Sequence, residues 1–234
     1  AMQFAYVGND ADAKRDWQRE FHLPLIVKPS DRSGSLGVKK VTDWWDLEPA
    51  LARARQVSFR SEAMVEEFVE GREISVEFIS YMGTHYPLQI TDKVITEPPH
   101  FVELAHHQPS TLTPEQYDEI YGITAHALDA LGLLNGASHS EYKITKDGRI
   151  AVMEIGGRMG GDFIGSDLVW LSTGYDFLRG VIEVALDDFH APEKPYAHHT
   201  GVYFLTADTK QVKYYIDHAA DYPEIVMAEQ TDDS

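Results

Sequence analysis

The chain has 234 residues, no cysteine and a formal net charge of −18. This charge argues against a nucleic-acid or anionic-membrane surface, although it leaves room for one concentrated basic pocket. The absence of cysteine excludes disulfides, thiolate nucleophiles and cysteine-based zinc sites, and the hydrophobic and charged fractions are those of a globular protein.

The first residues predict alternating strands and helices. A strand at Phe4–Val7 follows Ala1 and Met2 almost at once, which suggests a fragment of a longer protein. A helix is predicted over 11–21, a buried strand over 23–29 and a second strand over 38–41. No apolar run approaches the length of a membrane span and no signal peptide is visible, so we expect a cytoplasmic protein.

Lys28 closes the apolar strand just before a Gly/Ser-rich loop at residues 30–38. The ammonium group is placed to meet a phosphate, and the backbone N–H groups of the loop can fold over the same phosphate. The alternative is a surface lysine beside an ordinary loop, because the spacing is not that of a Walker A motif. The loop residues with this prospective role are Ser33, Gly34, Ser35 and Gly37.

A helix from about Asp43 to Gln56 precedes two strands, 63–68 and 73–81, which are joined by an acidic linker. Such a linker could hold an adenine by backbone hydrogen bonds and a ribose by a carboxylate, and the alternative is a solvated acidic turn. The linker residues are Glu66, Glu67 and Val69, and the ribose candidate is Glu73.

Residues 86–96 contain an apolar stretch that ends at Lys93, and residues 97–110 are predicted to form a loop. An adjacent histidine pair, His106-His107, could touch substrate or a metal, but neighbouring side chains on a strand point to opposite faces. Thr113 and Pro114 predict a helix that ends at Gly132. Later elements are a helix at 175–186 and strands near 201–205 and 214–216.

Two alternating runs, Ser138–Ile144 and Arg149–Ile155, flank an Asp147-Gly148 pair, which predicts a hairpin with a two-residue type I′ turn. That turn would set Glu141 opposite Glu154 with Cβ atoms roughly 5 Å apart. Because opposed like charges need a cation between them, Mg²⁺ or Mn²⁺ is the expected ligand. The alternative is a solvated acidic face.

A glycine-rich segment at 156–161 follows the second strand and contains Arg158. The glycines let backbone approach closely, and the guanidinium places a fixed cation just past the carboxylates. A metal, a guanidinium and glycines together favour an anionic, phosphate-bearing substrate.

Four ordered motifs resemble the ATP-grasp superfamily, specifically carboxylate–amine ligases described as carbamoyl-phosphate-synthase-large-chain-like or amino-acid ligase-like. The motifs are IVKPSDRSGSLG at 26–37, MVEEFVEGREISVE at 64–77, ITDKV at 90–94 and SEYKI…VMEIGGRMGGD at 140–162. The resemblance implies an α+β fold with two lobes whose antiparallel sheets clamp ATP. It places the small lobe at 1–65, the hinge at 66–72, the large lobe at 73–190 and a C-terminal extension of the large lobe at 191–234.

The resemblance also implies a role for each matched residue. Lys28 and Lys93 match the two phosphate lysines, Glu66 and Val69 the adenine hinge, and Glu73 the ribose carboxylate. Glu141 and Glu154 match the metal ligands, and Arg158 matches the arginine that steadies the acyl phosphate. The chain departs from the pattern at Gly156, where many members have Asn, and at His139, where several have Arg.

The implied activity is ATP- and Mg²⁺-dependent ligation of a carboxylate to an amine or ammonia through an acyl phosphate. Expected partners are these small-molecule substrates and an N-terminal domain of the same protein, with a homodimer as an open question and no nucleic acid or membrane. One alternative is a non-catalytic nucleotide-binding module, truncated or degenerate. A second takes Glu141 and Glu154 as the acid/base pair of a hydrolase.

Overall fold

The computed structural model describes residues 3–8, 15–96 and 102–230. Its mixture of helices and antiparallel strands confirms the predicted α+β class. The described residues divide into two compact units, one of 3–8, 15–71 and 143–151, the other of 72–96, 102–142 and 152–230. The predicted lobe boundaries at 65, 72 and 190 stay predictions. No helix among the described residues combines the length and apolar character that crossing a bilayer requires.

The first unit contains a four-stranded sheet with the order β1-β4-β2-β3, and its strands pair antiparallel. Alternate side chains of these strands, including Val27 and Val65, are buried against Leu51 and Ala54 of helix α2. The elements are β1 Phe4–Val7, α1 Trp17–Glu20, β2 Leu25–Pro29, β3 Lys39–Val41, a 3₁₀ turn Trp44–Asp46, α2 Leu47–Val57 and β4 Ala63–Glu67.

Two helices predicted in this unit are present, one over its expected length and one in part. The helix expected from Asp43 is confirmed, and the Asp43 carboxylate accepts a hydrogen bond from the Trp45 N–H at 3.0 Å. The helix expected over 11–21 is confirmed at Trp17–Glu20 and begins later than predicted, because residues 15 and 16 are not helical; residues 11–14 lie outside the described residues.

The second sheet has six strands in the order β10-β7-β6-β5-β8-β9. Strand β6 lies between β5 and β7 and pairs antiparallel with both. The strands are β5 Arg72–Tyr81, β6 Thr84–Ile95, β7 Glu103–Gln108, β8 Gly136–Ile144, β9 Ile150–Gly156 and β10 Thr200–Tyr203.

Helix α3, Pro114–Leu131, confirms its predicted ends. Thr113 and Gln116 form a capping box, and Gly132 ends the helix with a φ of 69°. The remaining helices are a π-helical turn Ile164–Leu168, α4 Val169–Thr173, α5 Phe177–Ala185, α6 Val212–Asp217 and a 3₁₀ turn Ala219–Asp221.

Two element predictions were wrong. The loop expected over 97–110 is a strand at 103–108, because β7 finds partners in β6 and β10 that local sequence does not reveal; residues 97–101 lie outside the described part of the chain. The strand expected near 214–216 is helix α6. There Lys213 and Asp217 form an i,i+4 ion pair at 2.7 Å, which suits a helix.

The turn between β8 and β9 was also predicted wrongly. The Thr145 carbonyl accepts from the Gly148 N–H at 2.9 Å, and the Thr145 N–H donates to the Arg149 carbonyl at 3.0 Å. Gly148 has a φ of 82°, whereas Asp147 is not among the positive-φ residues. This is a three-residue loop rather than a two-residue type I′ turn. The direct opposition of Glu141 and Glu154 does not follow from it, and their closeness stays a prediction.

Candidate functional site

Lys93 is the centre of a buried charged cluster in the second unit. Its Nζ atom lies 2.7 Å from Glu141 Oε1, 2.8 Å from Glu103 Oε1 and 3.7 Å from Glu73 Oε1. The side chain is 4% exposed. These partners come from β8, β7 and β5, so the strand order of the sheet assembles the cluster. Lys93 is therefore a cation whose position is fixed by three strands.

The charges in this cluster support one another. Burial opposes the charged form of Lys93, but Glu141 and Glu103 outweigh it and raise the pKa above its usual range. Burial likewise opposes ionisation of Glu103, yet the neighbouring His106 and the charge of Lys93 lower its pKa to about 2. For Glu141, His139 and Lys93 overcome burial and hold the pKa well below its usual range. All three groups are therefore charged at neutral pH.

His139 lies between two carboxylates, although the sequence comparison identified it only as a departure from the family pattern. Nδ1 makes a short hydrogen bond with Glu77 Oε1, and Nε2 lies 3.3 Å from Glu141 Oε1. Burial alone would lower the pKa of His139, but the hydrogen bonds to Glu141 and Glu77 raise it to about 9. His139 therefore adds a second positive charge beside Glu141, at the strand position where several ligases have an arginine.

Glu103, His106 and Asp162 form a second group that sequence reasoning missed, apart from the idea that His106 could touch a ligand. One potential ligand atom from each lies within 4.8 Å of the others. His106 is fully buried, and its Nε2 lies 2.9 Å from Glu103 Oε2. Burial and the charge of Glu103 raise the pKa of Asp162.

A β-bulge explains why the grouping of Glu103 with His106 could not be predicted from the sequence. Residues three apart point to opposite faces of a regular strand. The pairs Ile95–Glu103 and Val94–Ala105 leave one extra residue on β7, which changes the direction of Glu103 relative to His106. No local signal in this segment predicts the bulge.

The first unit contains the other predicted lysine, on β2. Lys28 Nζ lies 2.9 Å from Glu66 Oε1, and the Glu66 carboxylate is almost fully buried on β4. Glu67 ends the same strand, and Val69 is buried just beyond it. The structure therefore brings together one phosphate lysine and one hinge residue of the sequence prediction.

The loop after Lys28 consists of two overlapping turns. The Leu36 N–H donates to the Ser33 carbonyl at 3.4 Å and the Val38 N–H to the Ser35 carbonyl at 3.1 Å. Three residues have positive φ: Gly34 at 62°, Ser35 at 55° and Gly37 at 82°. Residues 32–36 are exposed. The predicted phosphate loop is accordingly a turn-rich, accessible segment.

Glu154 and Arg158 lie outside the buried cluster. Their closest charged atoms, Glu154 Oε1 and Arg158 Nη2, are 4.0 Å apart, and both side chains are more than half exposed. Arg158 Nη1 donates to the Met159 carbonyl at 2.9 Å. These two groups are held loosely and remain accessible to a ligand.

The donor set fits a hard divalent cation. Within the described part of the chain, Lys93 and His139 both contact Oε1 of Glu141, which leaves Oε2 available to a ligand. Glu154 offers an exposed carboxylate. Carboxylate oxygens of this kind are what Mg²⁺ and Mn²⁺ prefer.

Comparison with known proteins identifies the domain. A family model described as "ATP-grasp domain" matches residues 21–167, which is 147 of the 234 residues. The alanine–anticapsin ligase of Bacillus subtilis (strain 168) is 30% identical over 164 residues, covering 61% of this chain and 34% of that protein. Human carnosine synthase 1 is 28% identical over 189 residues, covering 74% of this chain and 23% of that protein.

A solved structure gives the same result. The crystal structure of an L-amino acid ligase from Bacillus licheniformis superposes with a TM-score of 0.71 at 28% identity, covering 87% of this chain and 48% of that chain. This confirms the predicted ATP-grasp fold. The chain spans about a third of the length of the first curated relative. Because the family model matches more than half of the sequence, the chain belongs to the ATP-grasp family.

Proposed function

We propose that this chain is the nucleotide-binding part of an ATP-dependent ligase that joins a carboxylate to an amine or ammonia. The observation that carries the proposal is the buried cluster in which Lys93 contacts Glu141 and Glu103. A fixed cation beside an ionised carboxylate with an available oxygen suits a metal-bridged polyphosphate.

The proposed reaction has two steps. An oxygen of the substrate carboxylate attacks the γ-phosphorus of ATP, so that ADP leaves and an acyl phosphate forms. The amine nitrogen then attacks the acyl carbon, the C–N bond forms, and phosphate leaves as the nitrogen loses a proton. Neither step needs a side-chain nucleophile, in keeping with a chain that contains no cysteine.

Each predicted site residue has a place in this scheme. In the second unit, Lys93 would position the phosphates and Arg158 would steady the acyl phosphate, since exposed guanidinium groups bind such oxyanions. Glu141 and Glu154 would hold Mg²⁺, which when bound neutralises charge that develops on the phosphate oxygens. Glu73 is proposed for the ribose.

In the first unit, Lys28 and the turn-rich loop would bind phosphate oxygens, and the end of β4 would bind the adenine. The Lys28 ammonium pairs with Glu66, and its side chain is the more exposed of the two. The loop residues that would supply backbone N–H groups are Ser33, Gly34, Ser35 and Gly37, and the adenine residues are Glu66, Glu67 and Val69.

The names of the relatives favour an amino acid as one substrate. They include an alanine–anticapsin ligase, a carnosine synthase and a D-alanine–D-alanine ligase, and a similar structure is an L-amino acid ligase. We extend this substrate class to the present chain as part of the proposal, together with an N-terminal domain, a homodimer and a cytoplasmic location.

A second candidate function is nucleotide binding without catalysis. The observation that favours it is Gly156, where many members have Asn. A hydrolase that uses Glu141 and Glu154 as acid and base is less well supported, because it leaves the charged cluster around Lys93 without a role.

Calorimetric titration with a non-hydrolysable ATP analogue, with and without Mg²⁺, tests the proposal directly. We expect Mg²⁺ to strengthen binding, and Lys28→Ala to weaken it. The second measurement, made on the full-length protein with its proposed N-terminal domain, is ADP formation on addition of amino-acid pairs. Binding together with amino-acid-dependent ADP formation supports the ligase, binding alone supports the non-catalytic module, and no binding to the wild-type chain contradicts both.

A further inference from the structure

Glu77 is a fully buried carboxylate on β5 to which the ligase scheme assigns no role. Burying a charge is unfavourable unless hydrogen bonds and an opposite charge compensate for it. Here Oε1 pairs with His139 Nδ1, and Oε2 accepts the backbone N–H of Gly160 at 3.0 Å. Both oxygens of Glu77 therefore have partners, one on strand β8 and one in the glycine-rich segment 156–161.

The backbone at Gly160 lies directly against this pair. A Cβ atom built at Gly160 would lie 2.8 Å from Glu77 Oε1 and 2.9 Å from His139 Nδ1. Such distances are shorter than real Cβ contacts, so any side chain here would displace the carboxylate or the imidazole. At the next residue, Gly161, an added Cβ would meet nothing within 4 Å. Glycine at 160, but not at 161, is thus required by the Glu77–His139 pair.

The Glu77–His139 pair is connected both to Glu141 and to the segment that contains Arg158. His139 Nε2 lies 3.3 Å from Glu141 Oε1, the proposed cation ligand. Gly160 follows Arg158 by two residues, and the Arg158 guanidinium donates to the carbonyl of the residue between them. A continuous set of contacts therefore runs from Glu141 through His139 and Glu77 to the backbone beside Arg158.

We infer that Glu77 and His139 are positioning residues that hold Glu141 and the Arg158-bearing segment in one fixed arrangement. Neither residue touches the reacting atoms in this proposal. His139 aims the carboxylate of Glu141, and Glu77 holds both the imidazole ring and the Gly160 backbone. Partners of metal-ligating side chains commonly act in this way, and their loss typically lowers metal affinity about 10- to 100-fold. The cation part of this inference rests on the proposed function.

The first test uses Glu77→Gln, which keeps the shape of the side chain and removes its charge. Mn²⁺ is titrated by electron paramagnetic resonance in the presence of ADP. We expect the apparent Mn²⁺ affinity to fall about 10-fold. The matched control is Thr124→Val, which removes a buried hydroxyl bonded to Tyr142 on the same sheet but outside the cluster. An affinity within twofold of wild type in a folded Glu77→Gln variant overturns the inference.

A double-mutant cycle separates positioning from general loss of packing. If Glu77 and His139 act as one unit, the Glu77→Gln/His139→Gln protein loses no more Mn²⁺ affinity than the worse single variant. Simple addition of the two losses would contradict a shared role.

The second test needs no ligand, so it separates this inference from the proposed function. Hydrogen exchange of the Gly160 amide is followed by NMR, because that N–H donates to Glu77. We expect exchange to be at least about 10-fold faster in Glu77→Gln and in Gly160→Ala measured at residue 160, and unchanged in Gly161→Ala. Accelerated exchange in a protein that shows no Mn²⁺ or nucleotide binding contradicts the proposed function alone, whereas unchanged exchange overturns the positioning pair.

Discussion

Lys28 and Glu66 form an ion pair across neighbouring strands in which the two partners are unequally buried. The ammonium and carboxylate atoms are 2.9 Å apart, with the lysine side chain 24% exposed and the glutamate 5% exposed. Removing the lysine would leave a buried, uncompensated carboxylate, whereas Lys28 itself can turn outward to a phosphate. Structural and ligand-binding contributions of Lys28 are therefore separable.

We predict that Lys28→Met lowers the free energy of unfolding by about 2 kcal/mol, since Glu66 loses its counter-charge. Lys28→Met/Glu66→Gln should recover most of that stability and should still bind the ATP analogue at least about tenfold more weakly. Urea unfolding and calorimetry measure the two effects. Recovery of nucleotide affinity together with stability would show that Lys28 serves the fold alone.

Lys93→Met should be more damaging because three carboxylates surround the ammonium. We expect a loss of about 3 kcal/mol in unfolding free energy, as repulsion among Glu141, Glu103 and Glu73 is no longer balanced. Ligase activity should fall at least about 100-fold. Lys93→Arg, which keeps the charge, is the control for stability; equal destabilisation by both substitutions would contradict the electrostatic explanation.

His139 predicts a loss of stability at alkaline pH. Its pKa rises from 6.5 to about 9 on folding, so the folded state binds the proton more tightly than the unfolded chain. The stabilisation of the folded state by protonated His139 is fully present below about pH 6.5 and is lost as the pH rises towards 9. We expect the contribution of His139 to the free energy of unfolding to be about 3 kcal/mol. Urea unfolding between pH 6 and 9.5 should show a decline that His139→Gln flattens and Thr124→Val does not.

Glu103 predicts the opposite behaviour in acid. Its pKa falls from 4.5 to about 2 on folding, so its contribution is present above about pH 4.5 and is lost as the pH falls towards 2. Glu103→Gln should weaken this acid dependence. A variant whose acid unfolding curve has the wild-type slope would contradict the ion pairs assigned to Glu103.

Two glycines of the predicted phosphate loop should differ in their tolerance of alanine. At Gly37, φ is 82° and an added Cβ would lie 2.5 Å from Val57 Cγ2, whereas at Gly34 φ is 62° and nothing lies within 4 Å. We expect Gly34→Ala to cost about 1 kcal/mol from backbone strain and Gly37→Ala about 2 kcal/mol or more from strain plus overlap. Denaturant unfolding of both variants checks the order.

The sequence predictions are accurate where local interactions determine the structure and fail where contacts between distant segments determine it. Helix α3 was predicted to the residue, because Thr113, Pro114 and Gly132 fix its ends through local hydrogen bonds and dihedral angles. The prediction of a strand at the position of helix α6 is wrong, since a short tyrosine-rich run has no strong period and its ends lack such signals.

The site shows the same limit. Lys93 and Glu141 were identified from motifs, and the structure brings them together. The sequence did not identify Glu77, Glu103 or the contacts of His139. Glu77 and His139 come together only through the pairing of distant strands, and the direction of Glu103 depends on a β-bulge. The turn at Asp147-Gly148 was misjudged because one extra loop residue changes the geometry without changing the composition.

The two proposed cation ligands lie on strands at different positions in the sheet. Glu141 belongs to β8, which has strands on both sides, while Glu154 belongs to β9, which is the outermost strand of the described sheet. An outermost strand frays more readily than an inner one. A cation bound by both carboxylates would therefore tie β9 to β8 and reduce the fraying of β9. On this basis, occupancy of the site should show up as resistance of residues 150–156 to proteolytic cutting.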